Sequence, residues 1–185
     1  MLAALGMVLG AACVPADAEA RAFHGRKDGL AEVFPEADSV EPKRFFLREE
    51  QKAAVAKLSG AELDDGLVTV YVARKGEAVV GYGFLETHIV RTQPQTLLIR
   101  VSPDGKVERI LQMAYYEPMD FIAGESWLAQ FEGRELTPDL RVRRDIHGIG
   151  GSTLTAYATT QGVRKSLALH ELLLADDAAD GAGER

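Results

Sequence analysis

The chain has 185 residues, 46% of them hydrophobic and 26% charged, and a net charge of −7. That length and balance fit one domain with a buried core, and the acidic surplus argues against nucleic acid as a partner. The one cysteine, Cys13, lies close to an N-terminal pattern that bears on where the protein works. Residues 1–14 form an uncharged apolar run, and Ala16-Asp17-Ala18 has the small-x-small form of a signal-peptidase site. Residues 1–18 are therefore predicted to be a signal peptide, since the run is shorter than the about 20 residues needed to cross a bilayer. A retained apolar helix or a lipid anchor on Cys13 is the lesser alternative. The mature chain is then exported and free of cysteine, which excludes disulfides, iron–sulfur ligation and a thiol nucleophile.

After a polar stretch over 19–28, residues 29–34 read as a short helix stopped by Pro35. Residues 40–47 suit a strand. Residues 48–58 carry apolar positions at 53, 54, 55 and 58 among Glu, Gln and Lys, and Ser59-Gly60 follows as a stop signal, which predicts an amphipathic helix. Residues 67–74 alternate around Val68, Val70 and Val72, Lys75-Gly76 makes a turn, and 78–90 runs back as a second strand. Gly81 and Gly83 within it mark a bulge or a close backbone approach. Residues 96–101 and 107–114 flank Ser102-Pro103-Asp104-Gly105, a hairpin turn sequence. Residues 125–131 predict a short helix closed by Gly133. The last helix is predicted over 156–174, with Thr160, Val163, Leu167 and Leu174 on one stripe and Arg164 and Lys165 on the other side. Residues 176–185, rich in Ala, Asp and Gly, predict a disordered tail. The sum is an α+β domain over 19–175, a mainly antiparallel sheet with flanking helices.

The chemistry-bearing run is Gly148-Ile149-Gly150-Gly151-Ser152-Thr153-Leu154-Thr155. Glycines let the backbone turn and approach a ligand closely, and the start of a helix aims unpaired N–H groups and a partial positive charge at whatever sits there. A phosphate suits such a cradle, with a hydroxyl at its lip. The same run also reads simply as a loop and helix cap. His147 stands beside it either to touch an anion or as a surface residue. Tyr115, Tyr116 and Phe121 suit either a ligand wall or the core, and His170 is read as structural. No strand followed by Gly-x-Gly-x-x-Gly is present, so a nicotinamide site is not indicated.

Residues 147–155 resemble the signature of the FMN-binding domain family of RnfG-type, NqrC-type and NosR-type proteins, which reads roughly Asp-x-x-Ser-Gly-Ala-Thr-x-Thr. Gly150 stands at the family's Ser, Gly151 at its Gly, Ser152 at its Ala, Thr153 at its first Thr and Thr155 at the flavin-bearing Thr. His147 takes the place of the Asp, the nearest acidic residue being Asp145. Val33-Phe34-Pro35 and Gln130-Phe131-Glu132-Gly133 follow the family's layout as well, and Glu117-Pro118 partly matches a Glu-Thr-Pro-Gly segment, with no role carried over. The resemblance implies FMN joined through its phosphate to Thr155 in an exposed turn, with Gly150, Gly151, Ser152, Thr153 and Leu154 forming the cradle; Ser152 and Thr153 are the lesser alternatives for the acceptor. It implies a flavin transferase as partner, drawing on FAD and a divalent metal. It also implies an exported electron carrier in the periplasm or at the outer face of the cytoplasmic membrane, exchanging electrons with membrane or periplasmic redox proteins.

Two other functions compete on the residues alone. One is a non-redox binding or docking module of a membrane complex, its phosphate cradle unmodified. The other is a hydrolase using Ser152 or Thr155 with His147, for which no third group is identifiable to orient the histidine.

Overall fold

A computed structural model describes residues 21–63 and 65–174. The predicted signal peptide with Cys13 and the predicted tail lie outside the described residues. Among these residues the chain forms strands β1 (Arg21–Ala22), β2 (Ser39–Phe46), β3 (Leu67–Lys75), β4 (Ala78–Ile89), β5 (Pro94–Val101) and β6 (Val107–Tyr115). It forms helices α1 (Arg26–Val33), α2 (Glu49–Ser59), α3 (Glu125–Leu128) and α4 (Thr153–Leu173). The strands make one antiparallel sheet in the order β1-β6-β5-β4-β3-β2. The fold is α+β, as the sequence predicts.

Side-chain alternation explains how one sheet supports two apolar clusters. Val68, Val70 and Val72 of β3 and Leu97, Ile99 and Val101 of β5 point to the face covered by α4, where Val55, Val163, Leu167, Phe131 and Leu140 join them. The intervening Ala73, Leu98, Leu111 and Met113 point to the other face, where Val33 and Phe34 at the end of α1 cover them. Glycine serves the second cluster. A Cβ on Gly81 or Gly83 would lie 3.0 or 3.1 Å from the Phe34 ring, so β4 is bare where that ring rests. The register between β3 and β4 also shifts beside Gly81, so both features anticipated at these glycines are present. Gly83→Ala is expected to lower stability by about 1–2 kcal/mol through overpacking, read as a fall in the urea midpoint at constant slope.

Three expected boundaries differ, the first being that of α1, which starts at Arg26 rather than 29. Residues 125–131 form a short α3 and then a tighter 3-10 turn over Ala129–Phe131, followed by Gly133 at φ 73°. The last helix starts at Thr153 rather than 156, because Ser152 takes the cap position and Thr153 to Thr155 make the first turn. Its polar side also differs from expectation, since Arg164 is buried at 5% exposure. No helix among the described residues is long and apolar enough to cross a membrane.

Candidate functional site

Three pieces of chain meet at one cleft of about 140 Å³. The N-terminus of α4 brings Gly151, Ser152, Thr153, Leu154 and Thr155; the turn between β4 and β5 brings Val90 and Arg91; the end of β6 and the segment after it bring Tyr115, Glu117 and Phe121. Five of the six residues anticipated by sequence line this cleft. Gly150 does not; it is exposed in the approach to the helix.

The start of α4 leaves backbone donors open to the cleft. Gly151 sits at φ 79°, a left-handed conformation natural to glycine, and reverses the chain into the helix. Ser152 is the cap residue, yet its side chain makes no capping hydrogen bond. The Ser152 amide donates to the Ile149 carbonyl at 3.1 Å, and the first helical bond runs from the Ala156 amide to the Ser152 carbonyl at 3.1 Å. The amides of Thr153, Leu154 and Thr155 therefore have no hydrogen-bond partner among the described residues. They carry the positive end of a 21-residue helix. Arg91 lines the same cleft and makes no ion pair among the described residues.

Thr155 is not in an exposed turn. It is 1% exposed, because the earlier helix start turns its side chain inward against the sheet. Its Oγ1 lies 2.7 Å from the Phe121 carbonyl, to which it donates. The Tyr115 hydroxyl, 3.1 Å away, is left as the donor to Oγ1. Burial first, and the Glu117 charge after it, hold the Tyr115 phenol above the usual tyrosine range against the pull of its bond to Thr155. Tyr115 is thus a neutral donor at neutral pH. Thr153 and Leu154 face outward, Leu154 at 51% exposure.

Glu117 shapes the opposite wall. Its Oε1 accepts the amides of Arg91 at 3.1 Å, Thr92 at 2.6 Å and Gln93 at 2.8 Å. The Thr92 and Gln93 bonds lead in holding the carboxyl below the usual glutamate range. One side chain thereby fixes the β4–β5 turn that presents Arg91 and Val90. The sequence singled out Glu117 without a role, through the partial match of Glu117-Pro118 to the family's Glu-Thr-Pro-Gly segment.

A second polar feature runs beneath α4. His88, Gln95 and Tyr115 are register neighbours on β4, β5 and β6. The Gln95 Nε2 lies 2.7 Å from Thr159 Oγ1 and 3.0 Å from His88 Nε2. Sequence periodicity did not find Gln95 and Thr159, which are polar residues inside otherwise apolar surroundings. His147 does not join the cleft. Its amide donates to Gln130 and its carbonyl accepts the Trp127 indole, while no hydrogen bond links its ring to Ser152 or Thr155. The arrangement a hydrolase would need is not assembled.

No family model matches the chain. The chain is similar to one component, designated G, of the Na+-translocating ferredoxin:NAD+ oxidoreductase complex of Acetobacterium woodii. The two are 29% identical over 136 residues, covering 64% of this chain and 63% of the relative. The chain thus spans less than two thirds of the relative's length.

Proposed function

We propose that this protein is an exported electron-transfer subunit of a membrane redox complex, carrying FMN through a phosphoester bond to Thr155. The observation that carries the reading is one hydroxyl, on Thr155, placed at the uncapped N-terminus of α4 with three free amides and Arg91 at the same cleft. The resemblance of residues 147–155 to a flavin-bearing signature supports it, and so does the similarity to a component of an oxidoreductase complex. Export rests on the signal-like pattern of residues 1–18.

The residues present fit a phosphate ester. The free amides of Thr153, Leu154 and Thr155 would make charge-assisted bonds to it, with Arg91 as counter-charge. The cleft, at about 140 Å³, has room for a phosphate but not for a three-ring flavin. Once attached, the flavin would supply one- and two-electron chemistry. In attachment, Thr155 Oγ1 bonds to the FMN phosphorus of FAD, the phosphorus–oxygen bond to AMP breaks, and the hydroxyl proton passes to a base on the transferase. No electron moves. Tyr115, a neutral donor, is not that base, so a partner enzyme is needed.

The burial of Thr155 favours a second reading, a non-redox binding module that leaves the cradle unmodified. The two separate on a denaturing gel. Protein made with a flavin transferase is expected to fluoresce as the wild type and as Thr153→Ala, and to lose all fluorescence as Thr155→Ala. A dark wild-type band selects the binding module.

A further inference from the structure

We propose that residues 118–122 form a strap that must lift from Thr155 before the flavin can be attached. The proposal rests on the flavin reading and adds a gate to it. At 1% exposure, the Thr155 hydroxyl is covered against an incoming phosphorus. Its Oγ1 is held from two sides, by Tyr115 and by the Phe121 carbonyl, and only one of these is free to leave.

Tyr115 is fixed. It is fully buried at the end of β6 and in register with Arg21 of β1 and Gln95 of β5. Phe121 belongs to a single 3-10 turn, Met119–Phe121, in which no residue is buried. The backbone bonds of that turn are local, from Phe121 to Pro118 at 3.0 Å and from Ile122 to Met119 at 3.2 Å. Both flanks are anchored. Glu117 is locked onto the 91–93 amides; Ala123 is buried at 3% exposure and Gly124 caps α3, accepting the Trp127 and Leu128 amides at 3.0 Å. Among the described residues, the Thr155–Phe121 bond is the one hydrogen bond that ties 118–122 to the rest of the protein. A short segment with firm ends, no buried residue in its turn and one cross-link has the build of a locally opening unit. Its opening exposes the hydroxyl without disturbing the sheet.

Two substitutions act on the strap and leave the cleft's polar groups in place. Pro118→Gly loosens one flank. Gly124→Pro stiffens the other: φ there is −71°, close to proline's own value, nothing lies within 4 Å of a Cβ, and the Gly124 amide makes no hydrogen bond among the described residues. The full protein lacking flavin is mixed with FAD, Mg2+ and increasing flavin transferase, and adduct formation is followed by intact mass. Amide hydrogen exchange is recorded on the same three proteins. The wild-type rate is expected to level off as transferase rises, because opening becomes limiting. The plateau rises about threefold or more in Pro118→Gly and falls by a similar factor in Gly124→Pro. The Phe121 and Ile122 amides exchange faster than those of β5 and β6 and shift in the same order. An adduct rate equal in all three proteins, with 118–122 as protected as the sheet, overturns the strap while leaving the flavin reading intact. No adduct on any of the three overturns the flavin reading and the gate with it.

Discussion

Arg164→Met is expected to destabilise the protein by about 3–5 kcal/mol, the sum over several buried carbonyls that each lose a charged donor. The Arg164 guanidinium is 5% exposed and touches no carboxylate among the described residues. Its Nε donates to the Ser59 carbonyl at 2.9 Å and Nη2 to the Leu58 carbonyl at 2.6 Å, while Nη1 reaches Thr137 at 2.6 Å and Leu140 at 3.3 Å. Leu58 and Ser59 end α2, so the cation also sits at the negative end of a helix. Burial, with the charge of Arg141 added, pulls the guanidinium below the ordinary arginine range. Methionine fills similar space and leaves the Leu58, Ser59 and Leu140 carbonyls without a donor among the described residues, each costing about 1–3 kcal/mol where water cannot enter, while the Thr137 carbonyl keeps the Leu140 amide at 3.3 Å. Chemical denaturation with two probes checks the size. Loss of less than about 1 kcal/mol, below the cost of even one unsatisfied buried group, would mean the carbonyls find other donors.

Glu117→Ala is expected to cost about 2–3 kcal/mol, the loss of hydrogen bonds to a charged acceptor, and to release the turn that carries Arg91. Glu117 is 7% exposed, and three amides converge on one of its oxygens. Its carboxyl is held below the ordinary range, so the sign of the pH effect follows. The unfolded chain binds the proton more tightly. The contribution is therefore complete above the ordinary glutamate pKa of about 4.3, and it is lost as pH falls through the lower folded value. Glu117→Gln keeps an acceptor and removes the charge. It should show a smaller loss at neutral pH and a flatter fall in stability between about pH 5 and pH 3, the window of an ordinary carboxylate and below. Unfolding curves across that window decide it. An unchanged acid slope in Glu117→Gln would place the acid sensitivity on other carboxylates.

These two residues mark where sequence reasoning stopped. The hairpin of β5 and β6 was legible because Ser102-Pro103-Asp104-Gly105 encodes its own turn. Gly105 sits at φ 83°, and the Ser102 amide closes the turn onto the Lys106 carbonyl at 2.8 Å. The strands were legible because Val68, Val70 and Val72 alternate toward one cluster. Arg164 was assigned to the solvent side because helical periodicity sees only its own helix, and its partners at 58 and 59 are more than a hundred positions away. Glu117 meets its amides across the sheet in the same way. The start of α4 was placed late because Ser and Thr favour caps and turns; the structure uses Ser152 as cap and the threonines after it as a first turn. That difference buries Thr155, and with it the expected exposed turn is replaced by a closed site. Gly151 to Thr155, which line the cleft, were singled out because glycine followed by a helix start is a local pattern.

The bond at Thr155 can be read directly by mass. The full chain is produced in cells with and without a flavin transferase, weighed intact, and mapped by peptide fragmentation. The flavin account predicts an added FMN moiety in the transferase cells alone, on the peptide that contains Thr155 and on that residue rather than Thr153. An unmodified mass under both conditions, or an adduct seated on another residue, contradicts it.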